Sequence, residues 1–336
     1  PTPIFSQEFD WLRLTSDEWL KGDIISMYDD ELDFDSDEFG EKSFDWEDVS
    51  ELRSRFDQQI RMADGRVVEG FLIVKEGKLT LISNGTEQQF PLSELLSITS
   101  AADTRVDLWD AKVTLGINVS QGNSNQIDYL LTAEAKRRTP VSRLNADFSF
   151  NYSESKGETE NEKVVTVNNS RFNAYFDWFY SAKMFFRLID YENYKDVQQN
   201  IKDRNSLGIS IGYHIINTKR VEWDLTVGPS YIDTQYNAES GGESDASAAI
   251  SMGTLLEYQI NSKIDFTFDY QIQFVSEESG TRTSNLKTGF EFEFIDDFEI
   301  DLLFYLDRTA KPFESSTSST PQENDYRLGL SIGYKF

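Results

Sequence analysis

Tyr326-Arg327-Leu328-Gly329-Leu330-Ser331-Ile332-Gly333-Tyr334-Lys335-Phe336 alternates without a break. Tyr326, Leu328, Leu330, Ile332, Tyr334 and Phe336 are apolar or aromatic, and Arg, Gly, Ser, Gly and Lys stand between them. A period of two predicts a strand, whose successive side chains point to opposite faces. About ten residues at roughly 3.3 Å each, tilted, reach across the hydrocarbon layer of a bilayer. One such strand fits the edge of a soluble sheet as well as a wall of a membrane barrel. The rest of the chain decides between them.

From Trp109 onward the pattern recurs. Ala111, Val113, Leu115, Ile117 and Val119 alternate with polar or small residues, and Ile127 to Ala135 and Leu144 to Tyr152 follow suit. Counting on through Phe172–Trp178, Met184–Tyr194, Leu207–Ile215, Val221–Val227, Ala248–Tyr258, Ile264–Phe274, Leu286–Phe294 and Ile300–Leu306 predicts twelve strands, an even number as a single-chain bacterial barrel requires. The run at Met184-Phe185-Phe186 has no readable facing, because its apolar residues are contiguous.

Connections sort by strand parity. Short turns such as Thr139-Pro140, Asn217-Thr218 and Asn261-Ser262 alternate with longer polar stretches such as 154–163, 235–245, 276–283 and 310–324. A barrel with short periplasmic turns and long external loops requires this sorting, and a soluble sandwich has no reason for it. Aromatics collect at strand ends too, with Trp109, Trp178, Tyr180, Tyr213, Trp223, Tyr258, Phe294, Tyr334 and Phe336 at one level and Tyr152, Tyr231, Phe274 and Tyr326 at the other. Amphipathic rings settle at the two headgroup layers. The expected fold class is all-β: a twelve-stranded antiparallel transmembrane barrel over residues 106–336.

Composition agrees. Aromatics reach 14%, no run of eighteen apolar residues offers a transmembrane helix, and there is no cysteine for a disulfide, a thiolate site or a nucleophile. A net charge of −27 sets the chain against nucleic acid, since every phosphate contact begins from repulsion. No basic and apolar leader opens the sequence, so an exported chain is expected to have lost its signal peptide.

The first hundred residues read as a duplication. Trp11-Leu12-Arg13-Leu14 and Trp19 to Ile24 are answered by Gln59-Ile60-Arg61-Met62 and Val67 to Leu72, and Phe44 to Val49 by Phe90 to Leu95. The offset is 48 residues at the start and 46 at the end. Two tandem small SH3- or Sm-like β-domains, 1–56 and 57–105, are predicted on the periplasmic side. The acidic stretch 29–48 spaces Asp33, Asp35 and Asp37 like the start of an EF-hand loop, but Glu38 replaces the sixth-position glycine and Phe44 the twelfth-position glutamate. A half-buried strand with Leu32 and Phe34 inward explains the same spacing.

The inward parity of the barrel collects charge. Asp128, Glu134, Asp147, Asp177, Asp224, Glu257, Asp265, Asp269, Glu291 and Glu293 are expected to line the lumen with Arg171, Lys287 and Arg327. Such charges are hydrated or paired, so they make either a narrow cation-preferring pore or a plug of structural ion pairs. His214, the single histidine, takes the inward parity near the periplasmic end and is expected to be structural. Serine–histidine hydrolysis needs a serine and an orienting group within reach of the imidazole, and a lipid-acting enzyme would present it outward. No motif of metal or phosphate chemistry appears, and neither catalysis nor a cofactor or metal is expected.

The set Val113-x-Leu115-Gly116, Ser120-x-Gly122-Asn123-Ser124, Arg137-Arg138-Thr139-Pro140-x-x-Arg143, Arg204-x-x-Leu207-Gly208-x-x-x-Gly212-Tyr213 and Trp223-x-Leu225-x-x-Gly228-Pro229 resembles the salt-induced outer-membrane proteins, a β-barrel family without an assigned activity. The resemblance spans roughly residues 109–336 and implies an outer-membrane barrel and no chemistry. The closing strand likewise resembles those of outer-membrane barrels, whose terminal aromatic, here Phe336 with Tyr334 before it, is read by the barrel assembly machinery. Expected partners are therefore outer-membrane lipid, that machinery, and a periplasmic protein or a second copy bound through residues 1–105. The functional expectation is a structural or scaffolding role, with a narrow cation channel as the alternative.

Overall fold

A computed structural model describes residues 9–28, 30–100, 109–120, 126–156, 163–218, 220–237, 244–275, 282–295, 297–310 and 322–335. Phe336, the acidic-stretch member Asp29 and most of the predicted long loops lie outside these residues.

The N-terminal region carries ten strands: β1 (Asp10–Leu14), β2 (Trp19–Tyr28), β3 (Glu31–Ser36), β4 (Gly40–Asp45), β5 (Val49–Arg53), β6 (Gln58–Met62), β7 (Val67–Lys75), β8 (Lys78–Ser83), β9 (Thr86–Pro91) and β10 (Leu95–Ser100). A single 3-10 turn precedes β5 at Trp46–Asp48 and β10 at Leu92–Glu94, so the two copies repeat element by element. Tight turns join the hairpins. At Asn84-Gly85 both residues have positive φ, the twist that lets β8 and β9 pair across two residues.

The copies do not close on themselves. The last strand of each pairs with the second strand of the other, β5 with β7 and β10 with β2. With β1–β2, β1–β5, β6–β7 and β6–β10 these pairings form a ring, β1-β5-β7-β6-β10-β2, from which β3-β4 and β8-β9 extend as wings. The expected pair of tandem small β-domains is thus one small barrel-like region with a single core. Leu12, Ile24, Leu32, Phe34 and Leu52 of the first copy pack with Ile60, Leu72, Leu79 and Ile98 of the second. A unit of under fifty residues buries too little apolar surface to stand alone, and pooling two cores meets that shortage.

Leu32 and Phe34 are fully buried on β3, while Asp33 receives hydrogen bonds from Ser26 (2.9 Å) and Ser43 (2.7 Å). Asp33 and Asp35 of the acidic stretch thus lie on the polar face of a half-buried strand, β3.

The second region is a closed antiparallel barrel of twelve sequential strands: β11 (Trp109–Ser120), β12 (Gln126–Arg138), β13 (Ser142–Lys156), β14 (Lys163–Phe179), β15 (Met184–Asp196), β16 (Ile201–Thr218), β17 (Val221–Tyr236), β18 (Asp245–Asn261), β19 (Ile264–Phe274), β20 (Arg282–Ile295), β21 (Phe298–Ala310) and β22 (Asn324–Lys335). The closing strand pairs with the opening one, from Lys112 opposite Lys335 to Leu115 opposite Ile332. β12, β14, β16, β18, β20 and β22 end at the rim beside the N-terminal region, called here the near rim, and begin at the opposite one, the far rim. At the far rim β15 and β16 are joined by the short turn 197–200.

Outward side chains form an apolar belt that no protein covers: Leu115, Ile117, Leu207, Ile209, Ile250, Leu302, Leu328 and Leu330 are all exposed. Trp109, Trp178, Trp223, Tyr258 and Tyr334 ring it near one rim, Tyr231, Phe274 and Tyr326 near the other. An apolar surface of this extent is stable only against hydrocarbon, and the pairing of β22 with β11 closes the sheet on itself. The barrel spans a membrane.

On β15 the unreadable facing resolves into a bulge. Phe185 and Arg187 point inward, Leu188 and Ile189 both point outward at 50% and 51% exposure, and Asp190 turns in again.

Candidate functional site

The lumen holds three groups of charged side chains. At the near rim Arg143, fully buried at the start of β13, donates to Asp177 (2.9 Å), to Asp224 (2.6 Å) and to Glu222. Arg187 donates to the other oxygen of Asp177 at 2.8 Å and stacks on Tyr175 at 3.7 Å. Lys136 reaches Glu257 at 3.2 Å, from β12 to β18, six strands away and the greatest separation a ring of twelve allows. His214 is held at Nδ1 by Asp224 (2.5 Å) and packs on Phe185, with ring centroids 4.8 Å apart.

A second group surrounds Lys112, which lies within 2.7 Å of Glu291, 2.6 Å of Glu299 and 3.1 Å of Asp301. The third lies toward the far rim. Arg171 pairs with Glu192 and, at 2.6 Å, with Asp307 on β21 across the lumen. Arg327 holds the second oxygen of Asp307 at 2.5 Å and Asn169 at 2.6 Å. Above them Thr309 donates to Gln199 in the β15–β16 turn at 3.3 Å.

Between these levels lies a cavity of about 500 Å³. Glu134 pairs there with Lys287, Asp147 accepts from Asn173 at 2.9 Å, and Asp269 lies opposite Lys287 in the β19–β20 register. Asp265, Glu257 and Glu291 also line it.

All thirteen predicted lumen charges take the inward parity. Asp128 is bonded to Gln126 (2.7 Å) and Ser153, and Glu293 sits opposite Glu299 near the near rim. Sequence reading omitted Arg143, Arg187, Lys112's partner Glu299, and Glu192. The outward Leu144 already implied an inward Arg143. The β15 bulge concealed Arg187.

Two sets of side chains have the spacing of metal ligands: His214 with Glu222 and Asp224, and Glu291 with Glu299 and Asp301. Each already has a side-chain cation in its midst, Arg143 in the first and Lys112 in the second. Burial of such charges is tolerated when they are paired and hydrogen-bonded, so the arrangement is a fixed network crossing the barrel.

The family described as "Protein of unknown function, DUF481" matches residues 113–336. The chain belongs to that family. The match begins within β11 and leaves the duplicated N-terminal region outside it. No curated protein sequence matches the chain. Among solved structures, similar ones include the NanC porin (11% identity, 68% of this chain and 100% of that one, TM-score 0.40). The translocator domain of the autotransporter NalP from Neisseria meningitidis matches at 12% identity over 68% of this chain and 87% of that one, with TM-score 0.35. The outer membrane channel DcaP of Acinetobacter baumannii matches at 10% identity over 97% and 94%, with TM-score 0.30. Nothing about cargo or partners transfers at these values.

Proposed function

We propose that the protein is an integral barrel of the bacterial outer membrane with a structural, scaffolding role, holding its duplicated N-terminal region on the periplasmic side. The carrying observation is that ion pairs cross the lumen at two levels, Lys136–Glu257 (3.2 Å) and Arg171–Asp307 (2.6 Å). Pairs that span the width of a barrel brace its wall and obstruct a solute path. The exposed β4 and β9, each at the end of a wing, offer unpaired edges for a periplasmic partner or a second copy. The resemblance to the salt-induced outer-membrane proteins is part of the same proposal. No catalytic role is proposed: His214 is buried between Asp224 and the Phe179 and Phe185 rings.

Planar-bilayer recording of the purified protein tests this reading. No stepwise conductance is expected. A steady, cation-selective conductance overturns it in favour of a second reading, a narrow cation-preferring channel. That reading draws on the cavity of about 500 Å³ and its Asp147, Asp265 and Asp269 walls.

A further inference from the structure

The N-terminal region touches the near rim through both of its copies. Arg138, the last residue of β12, lies over the ring of Tyr28 (4.8 Å to its centroid) at the end of β2, and over Phe179 (5.2 Å). Arg61 of β6, 6% exposed, covers the same Phe179 ring at 5.2 Å and donates Nη2 to the Ser181 carbonyl at 3.1 Å. Gly65, at positive φ in the β6–β7 turn, lies so close that a Cβ there would be 2.8 Å from the Tyr180 carbonyl. Tyr28 and Glu31 form part of the wall of the lumen cavity.

We propose that the N-terminal region is a releasable cover over the near mouth of the barrel, latched by Tyr28 and Arg61 onto Arg138, Phe179 and Ser181. One residue from each copy engages one barrel turn region, so the shared ring sits across the mouth and is not tethered to a single point. Opposing the latch, two guanidiniums share one aromatic ring. Burial, and after it the facing Arg138 charge, bring the Arg61 pKa down to about 10. Cation–π contacts and one hydrogen bond to a carbonyl outweigh that repulsion in the docked state. The surface carrying Tyr28 and Arg61 is therefore withheld from partners until the cover lifts. This goes beyond anchoring and holds whether or not the barrel conducts.

The chain has no cysteine, so introduced thiols are unique. Full-length protein in lipid nanodiscs, carrying nitroxides at Thr86→Cys and Ser262→Cys, is measured by pulsed electron resonance. One narrow distance is expected, broadening when Tyr28→Ala and Arg61→Ala are combined. In parallel, a thiol at Gln259→Cys on the cavity wall is expected to react several-fold faster in that background. A broad distance in the parent, an unchanged distance in the variant, or an unchanged labelling rate each overturns the proposal. Should the double variant fail to insert, Phe179→Ala, which removes the shared ring from the barrel side, carries the same test with the same outcomes.

Discussion

Lys136 on β12 and Glu257 on β18 meet at 3.2 Å although no two strands of the ring lie farther apart in order. A twelve-strand wall leaves a wide interior, and only long side chains extended inward from both sides close that gap. The charge of the lumen is thus organised as struts. A few such pairs obstruct the lumen between its rims, and they can be removed one at a time.

Combining Lys136→Ala with Arg171→Ala removes a strut at each level. With the cover also released by Tyr28→Ala and Arg61→Ala, this double variant is expected to gain a cation-selective conductance in planar bilayers that neither the parent nor the cover variant alone shows. Glu134, Asp147 and Asp269 would then set the selectivity. A double variant as silent as the parent shows that the struts do not control access.

Arg143→Met leaves Asp177, Glu222 and Asp224 with less compensation in a buried site. The expected loss is roughly 3–5 kcal/mol of barrel stability, the usual consequence of breaking a buried ion pair from one side. Urea unfolding of the barrel in detergent micelles measures it. A loss below about 1 kcal/mol would mean that Arg187, Arg138 and Lys136 already neutralise the group.

Leu330 is 67% exposed on β22, in the outward belt. Leu330→Lys is expected to cost about 2–4 kcal/mol if the position lies near mid-bilayer, falling toward zero near a headgroup layer. A series of lysines at Leu328, Leu330, Ile332 and Tyr334 therefore maps membrane depth along one strand. A flat series contradicts a bilayer-spanning β22.

Asp10 is 2% exposed and accepts hydrogen bonds from the amides of Ile24 (2.7 Å) and Arg55. Burial pushes its pKa above the ordinary 3.8, against the pull of those two amides. A raised pKa in the folded state favours the neutral acid. The group's contribution to stability is therefore fullest below the unfolded-state pKa and is lost as pH rises through the folded one. Hydrogen exchange in β1 and β2 of the full chain should slow more, after correction for intrinsic rates, between pH 7 and pH 4 than it does in Asp10→Asn. An equal response in both proteins removes Asp10 as the cause.

Leu115 and Ile117 show how much of the barrel was legible. Their alternation with Lys112, Thr114 and Gly116 is a direct image of two faces, one in lipid and one in the lumen, so strand number and lumen charges could be read. On β15 the contiguous Met184-Phe185-Phe186 hid the image, because the apolar Phe185 is buried inside the barrel, and the outward pair Leu188-Ile189 then shifts the period. The pairing of the copies was illegible for another reason. β5 presents the same sequence to the second strand of its own copy and to that of its neighbour, and only the packed core discriminates. The struts depend on distances across the barrel, which no local period encodes.

β10, the last strand of the N-terminal ring, bonds to both β6 and β2, and β22, the last strand of the barrel, bonds to β11. Each region is completed by its own final strand. During synthesis from the amino terminus, the ring has every strand once Ser100 has emerged, before Trp109 begins the barrel. The barrel can close only when the chain has reached β22. The molecule therefore has a built-in order of completion, with the ring first and the membrane wall last.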